Sequence, residues 1–154
     1  MSAVQPPVPG LEPAFEVAVR LGPLEDHGVT RSGHRRVVPI LGGTVRGAFD
    51  GEILPGGADW QLVRADGSIE IDGRYTARAA DGSYVYLHAV GVRSGSPEVL
   101  EALLRGEAVD PADYYFRTVV TIESSAHPEF EQSLYVAACI RDADAVRYTA
   151  YRVT

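Results

Sequence analysis

The sequence predicts a mainly β protein: an antiparallel barrel, closed or nearly closed, of about 8–10 strands with one short α-helix. Three observations predict it. Many short segments alternate apolar and polar residues, the period of a half-buried strand. Two Asp-Gly pairs, Asp66-Gly67 and Asp81-Gly82, join three such segments into a meander. Left open, so many hairpin-linked strands would expose long unpaired edges, which closure removes.

Each element has its own signal. Residues 1–12 read as a flexible arm, because Ser2–Pro13 carries four prolines and few anchors; residues 13–154 read as one barrel domain. Phe15, Val17, Val19 and Leu21 alternate with Glu16, Ala18 and Arg20 as a strand. Gly22–Gly33 reads as a polar turn region. Arg35–Leu41 follows as a strand made irregular, or kept at an edge, by Pro39, and Gly42-Gly43 punctuates it. Thr44–Phe49 and Glu52–Leu54 flank an Asp50-Gly51 hairpin signal. Beyond the Pro55-Gly56-Gly57 break come Asp59–Arg64, Ser68–Arg78 and Ser83–Val92, the meander, with Gly73 marking an expected bulge or bend. Ser96 caps a helix that has Pro97 at its first position, Glu98 on its dipole, a Val99/Leu100/Leu103/Leu104 stripe and Gly106 as its stop. Tyr114–Glu123, Leu134–Arg141 and Ala145–Val153 close the set.

Composition narrows function. The chain has 154 residues and a net charge of −7. It has no basic run beyond His34-Arg35-Arg36, so no nucleic-acid surface is expected. All 14 basic residues are Arg, and Lys and Asn are absent, a bias that suits a GC-rich bacterial genome. Lysine Schiff-base chemistry is therefore excluded. The single cysteine, Cys139, forbids an internal disulfide and multi-cysteine zinc sites; it lies in an apolar strand and reads as inert core. Met1–Gly10 has no signal-peptide pattern, and no apolar run approaches ~20 residues, so the expected location is cytoplasmic, away from membranes. No P-loop, zincin pair or Gly-x-Ser-x-Gly elbow occurs; no metal and no cofactor are expected.

Several pieces of the chain resemble the domain-of-unknown-function family 3237. They are Pro39-Ile40 with Gly42-Gly43, Leu54-Pro55-Gly56-Gly57-Ala58-Asp59-Trp60, Arg74-Tyr75, Asp81-Gly82 and Asp113-Tyr114-Tyr115-Phe116-Arg117-Thr118. The likeness runs from about Leu11 to Val153 and implies a compact, usually bacterial, often oligomeric β-barrel without a settled activity. Two departures stand out. Glu131-Gln132-Ser133 replaces a Trp-Leu-Asn expected in relatives, and Tyr86 stands where an aliphatic residue is commoner. If those positions line the lumen, they alter the pocket and suit a member specialised for one substrate, as in secondary metabolism.

Strand parity frames the candidate site. In Ser68–Arg78 one face carries Ile69, Ile71, Gly73, Tyr75 and Ala77; the other carries Glu70, Asp72, Arg74, Thr76 and Arg78. Either the apolar set fills the interior, or Asp72 and Arg74 surround a wet cavity. On the second alternative His88, next to Tyr86 on its face, is the acid–base group. Arg74 and Arg117 then hold negative charge and Asp72 orients one of them. Trp60 and Tyr115 form apolar wall, with Asp59 at the mouth and Glu123 on the Arg117 face. On the first, His88 is a satisfied wall residue, Arg117 pairs with Glu123 or Asp72, Asp59 caps the glycine turn and Trp60 belongs to the core.

The function expected is a cofactor-free isomerase, cyclase or lyase acting on a small organic molecule inside the barrel. The alternatives are a lipocalin-like binding protein without catalysis and a structural oligomer. The expected partners are a small-molecule ligand and further copies of the chain, as a dimer or larger homo-oligomer, with no nucleic acid and no membrane.

Overall fold

The computed structural model describes residues 2–154; Met1, at the tip of the expected arm, lies outside them. Ten strands form one antiparallel sheet: β1 (Leu11–Leu21), β2 (Glu25–Thr30), β3 (Gly33–Gly47), β4 (Gly51–Ile53), β5 (Ala58–Val63), β6 (Ile69–Ala79), β7 (Tyr84–Gly95), β8 (Tyr114–Glu123), β9 (Leu134–Arg141) and β10 (Ala145–Val153). Pairing of β1 with both β10 and β3 closes the sheet, and short β4 and β5 share one position between β3 and β6. The result is a closed barrel of eight positions with one α-helix, α1 (Pro97–Leu104).

The meander forms as expected, with one refinement. The Asp-Gly pairs sit in three-residue loops rather than two-residue turns. In each, the Asp side chain accepts from the backbone N–H and the hydroxyl of the Ser two residues on, and the Gly has positive φ, 87° at Gly67 and 86° at Gly82.

Three local expectations are corrected. The Gly22–Gly33 stretch contains β2, an exposed strand with no buried face to reveal it. β3 passes through Pro39 as one 15-residue strand; Pro39 stands where its neighbours change from β2 and β5 to β1 and β4, and its carbonyl still accepts from the Gly22 N–H. Gly73 makes no bulge: the β6–β7 register is unbroken, and a Cβ there would meet ordinary contacts at 3.6 Å and beyond. Within the meander Gly91 is the crowded glycine: its added Cβ would lie 2.0 Å from the Arg117 carbonyl oxygen where β7 and β8 approach.

Parity is settled by burial. Ile69, Ile71, Tyr75, Ala77 and Ala79 are buried inside, and Arg74 and Arg78 are exposed outside. The interior has two halves. One is dry, with Phe15, Phe49, Phe130 and Tyr135 in tilted contact at centroid distances of 5.5–5.9 Å. The other lies at the end where α1 sits. Ser96 Oγ caps α1 by accepting from the Val99 N–H at 3.2 Å, Leu103 is buried in the core, and Leu104, expected in the stripe, is exposed.

Candidate functional site

Eight of the nine expected site residues stand on the outer wall, so the lumen constellation built from them does not form. The reason is the parity of β6 and its neighbours: the apolar set takes the inside because charge stays in water. Asp72 and Arg74 point outward with Trp60, Tyr86 and His88; Tyr115, Arg117 and Glu123 do the same on β8. Outside, His88 Nε2 lies 2.7 Å from Asp72 Oδ1, and Arg74 Nε donates to the same oxygen at 3.4 Å. Burial pushes the Asp72 carboxyl up, but these hydrogen bonds outweigh it and hold it below the usual range. Asp72 and His88 lie in an open groove with Arg35, Trp60 and Val90. Trp60 is 38% exposed and so is not core. Arg117 lies over the Tyr115 ring at 5.4 Å and donates to the Phe116 carbonyl at 2.9 Å, in place of the expected pairing with Glu123 or Asp72. Glu123 faces Tyr86 across β7 and β8. Tyr86 and Glu131-Gln132-Ser133 lie outside the lumen as well, so the departures from the family pattern leave the interior unchanged.

Asp59 is the exception: its side chain enters the barrel. β5 and β6 pair Asp59 with Gly73, which puts Asp59 and Gln61 inside and Trp60 outside. Asp59 Oδ1 accepts from the Asp72 backbone N–H at 2.9 Å, and Oδ2 accepts from Gln61 Nε2 at 2.9 Å. Asp59 thus ties β5 to β6 and does not cap the glycine turn. Burial raises its carboxyl above the ordinary range, although both hydrogen bonds and the nearby Arg93 charge pull the other way.

Around Asp59 lies a cavity with an apolar wall of Val19, Leu21, Val38, Ile40 and Phe116. Its volume open to a water-sized sphere is about 50 Å³, room for a few waters and below the ~300 Å³ of usual ligand pockets. Tyr75 and Tyr148 line it too, their hydroxyls hydrogen-bonded to each other, and burial holds both phenols well above their usual range and so neutral. Cys139 also lines it; burial pushes its thiol up to about 12, which suits the inert role expected of it. At the mouth stand two arginines that sequence reasoning passed over, Arg93 and Arg141, with a third, Arg36, buried near Arg93. The signal for them was present. Each shares its strand's inward parity with apolar residues: Arg36 with Val38 and Ile40, Arg93 with Leu87 and Ala89, Arg141 with Ala137 and Cys139. Among the described residues no three of His, Cys, Asp and Glu converge as metal ligands. No helix among the described residues is long and apolar enough to cross a membrane.

Fold and lumen together define a small closed β-barrel whose interior is apolar at one end and charged at the other. The chain belongs to the family described as protein of unknown function DUF3237, which matches residues 9–153. The UPF0311 protein blr7842 of Bradyrhizobium diazoefficiens is 39% identical over 142 residues, covering 90% of this chain and 93% of the relative. The crystal structure of the conserved protein of unknown function RPA1785 from Rhodopseudomonas palustris superposes with a TM-score of 0.91 at 37% identity, over 97% of this chain and 100% of that one. An enzyme from Penicillium herquei has a TM-score of 0.72 at 17% identity, over 99% of this chain and 100% of that one, a likeness of fold alone.

Proposed function

We propose that the barrel is a cofactor-free enzyme that moves a proton on a small organic molecule held in the lumen, as an isomerase, cyclase or lyase, with Asp59 as acid–base group. One observation carries this reading: a carboxyl raised by burial stands inside the lumen, between an apolar wall and the hydroxyls of Tyr75 and Tyr148. A group so placed is poised to give and take protons nearer neutral pH than an exposed Asp. The Tyr75–Tyr148 pair supplies neutral O–H donors on the same lumen. One hydrogen bond between two hydroxyls leaves one O–H proton to donate to a developing enolate oxygen. The description of a distant barrel of this fold as an enzyme agrees with this reading. The cavity as it stands is small, so a substrate larger than a few atoms enters by displacing side chains or the α1 segment at the mouth.

The test is solvent exchange. The protein is incubated in D2O with a panel of small ketones, β-dicarbonyls and phenols, and deuterium uptake at carbon is read by NMR. The expected result is exchange above background that falls by about 10²–10⁴ in Asp59→Asn. Exchange that survives Asp59→Asn but disappears in His88→Ala moves the chemistry to the outer groove. Binding without exchange favours the lipocalin-like alternative.

A second reading concerns assembly and location. Val90 and Val119, each 47% exposed, face each other in register on the outer wall, which favours a homo-oligomer formed through that face. The buried, unpaired Cys139 suits a reducing, cytoplasmic setting.

A further inference from the structure

We infer that the lumen ligand is an organic acid whose carboxylate is held at the barrel mouth by Arg93 and Arg141, with Arg36 beside them. This rests on the reading of the lumen as the binding site, and it names the chemical class that site takes.

The first support is a deficit of acceptors. Arg93 is 5% exposed and Arg36 7% exposed. Neither has an ion-pair partner within 4 Å among the described residues, and the Nε–H of each is buried without an acceptor. Gln61 Oε1, on the same wall, is a buried acceptor without a donor, a need that an O–H or N–H group elsewhere on the ligand would meet. Buried cations without partners are destabilising, and folds keep them where something compensates. The guanidinium of Arg93 lies over the Phe116 ring, 5.4 Å from its centroid, which offsets only part of that cost.

The second support is the sign of the charge. Arg93 and Arg141 face Asp59, whose two oxygens already accept from Gln61 and the Asp72 backbone; Asp142 and Asp144 also act on Arg141, and Asp26 acts on Arg36, so Arg93 is the guanidinium whose one facing carboxylate is already engaged. Arg141 spends Nη1 on the carbonyls of Asp142 and Ala145 and keeps its other N–H groups for a ligand. Burial holds Arg93 down to about 10, with the positive charges of Arg141 and Arg36 acting in the same direction and Asp59 against them. An acidic protein of net charge −7 thus gathers three guanidiniums at one end of its lumen, two of them buried. Guanidinium forks there match a carboxylate in shape as well as charge. The apolar wall behind them accepts the rest of the molecule.

The division of labour is chemically consistent. The arginines hold a carboxylate at the mouth, and the reactive carbon of the acid reaches Asp59 and the tyrosine pair deeper in. The carboxylate also neutralises part of the positive field that favours ionised Asp59, which makes Asp59 the more ready proton carrier when the site is filled.

The experiment titrates the full chain with acetate, propionate and benzoate, each against its neutral amide, and follows the arginine Nε–H and Gly73 amide signals by NMR. The acids are expected to shift the Arg93 Nε–H signal and to bind about 10-fold or more tighter than the amides. Arg93→Met is expected to remove that preference while raising Tm by about 2–4 °C or more without ligand, because an uncompensated buried charge is gone. Gly73→Val, which adds bulk to the lumen at a position free of backbone strain, is expected to block both acids and amides. Equal binding of acids and amides at the lumen signals overturns the carboxylate assignment and leaves the lumen reading standing. Acid binding that persists unchanged in Gly73→Val, or no shift of any lumen signal by either class, overturns both.

Discussion

Asp59 shows how one residue can be tied down and still be chemically available. Its two hydrogen bonds favour the carboxylate, yet burial wins and its folded-state value lies above the ordinary 3.8. The sign of the pH dependence follows. Below the ordinary value, folded and unfolded chains both carry the proton. Between that value and the raised one, the folded chain binds more protons, so stability falls as pH rises; above the raised value the loss is complete. Asp59→Asn removes this contribution. Urea unfolding from about pH 4 to about pH 7 is expected to show the variant gaining stability relative to the parent as pH rises. A relative loss over that range would mean a carboxylate stabilised by its neighbours, and with it the end of the acid–base role.

The two Asp-Gly loops that build the meander show local chemistry dictating an element. Each places a glycine in the left-handed region after an Asp whose side chain satisfies the next free N–H and hydroxyl. Gly82 isolates the backbone effect, since an added Cβ would meet nothing within 4 Å. Gly82→Ala should therefore destabilise by about 1–2 kcal/mol through backbone conformation alone, read as a lower urea midpoint with an unchanged m-value. A neutral outcome would show that the loop relaxes to another turn. The helix carries the same kind of signature at its Ser96-Pro97 start. β2 lacks one: its residues are exposed or half-buried throughout, so no apolar period marks it.

At the scale of the whole molecule, the barrel separates a dry, aromatic half from a charged mouth, and it leaves an apolar row outside. Val90, Val119, Val136 and Tyr151 stand opposite one another in register across β7, β8, β9 and β10. Such a row on a closed sheet is a surface for a second copy of the chain. Light scattering is expected to give a mass above the 16.6 kDa protomer, and Val119→Asp is expected to return it to that value. A wild-type chain that stays monomeric at high micromolar concentration removes the oligomer reading.

The barrel, its meander, the capped helix and the single cysteine's place in the core were readable from the chain because each rests on near neighbours. Turn residues act over four positions, a cap over three, and alternation over one strand. The site was not readable in the same way. The alternation in Ser68–Arg78 offered two faces and no statement of which one the barrel would enclose. Closure of β1 onto β3 and β10 answered that by burying the apolar set, which sent Asp72, Arg74, His88 and Arg117 outside and brought Asp59 in. The mouth arginines come from three strands, at positions 36, 93 and 141, and only the long-range pairing of the sheet brings them to one place. Local chemistry determined that there is a barrel; its interior was decided by non-local packing, because the sign of a strand's parity is fixed by what lies across the core from it.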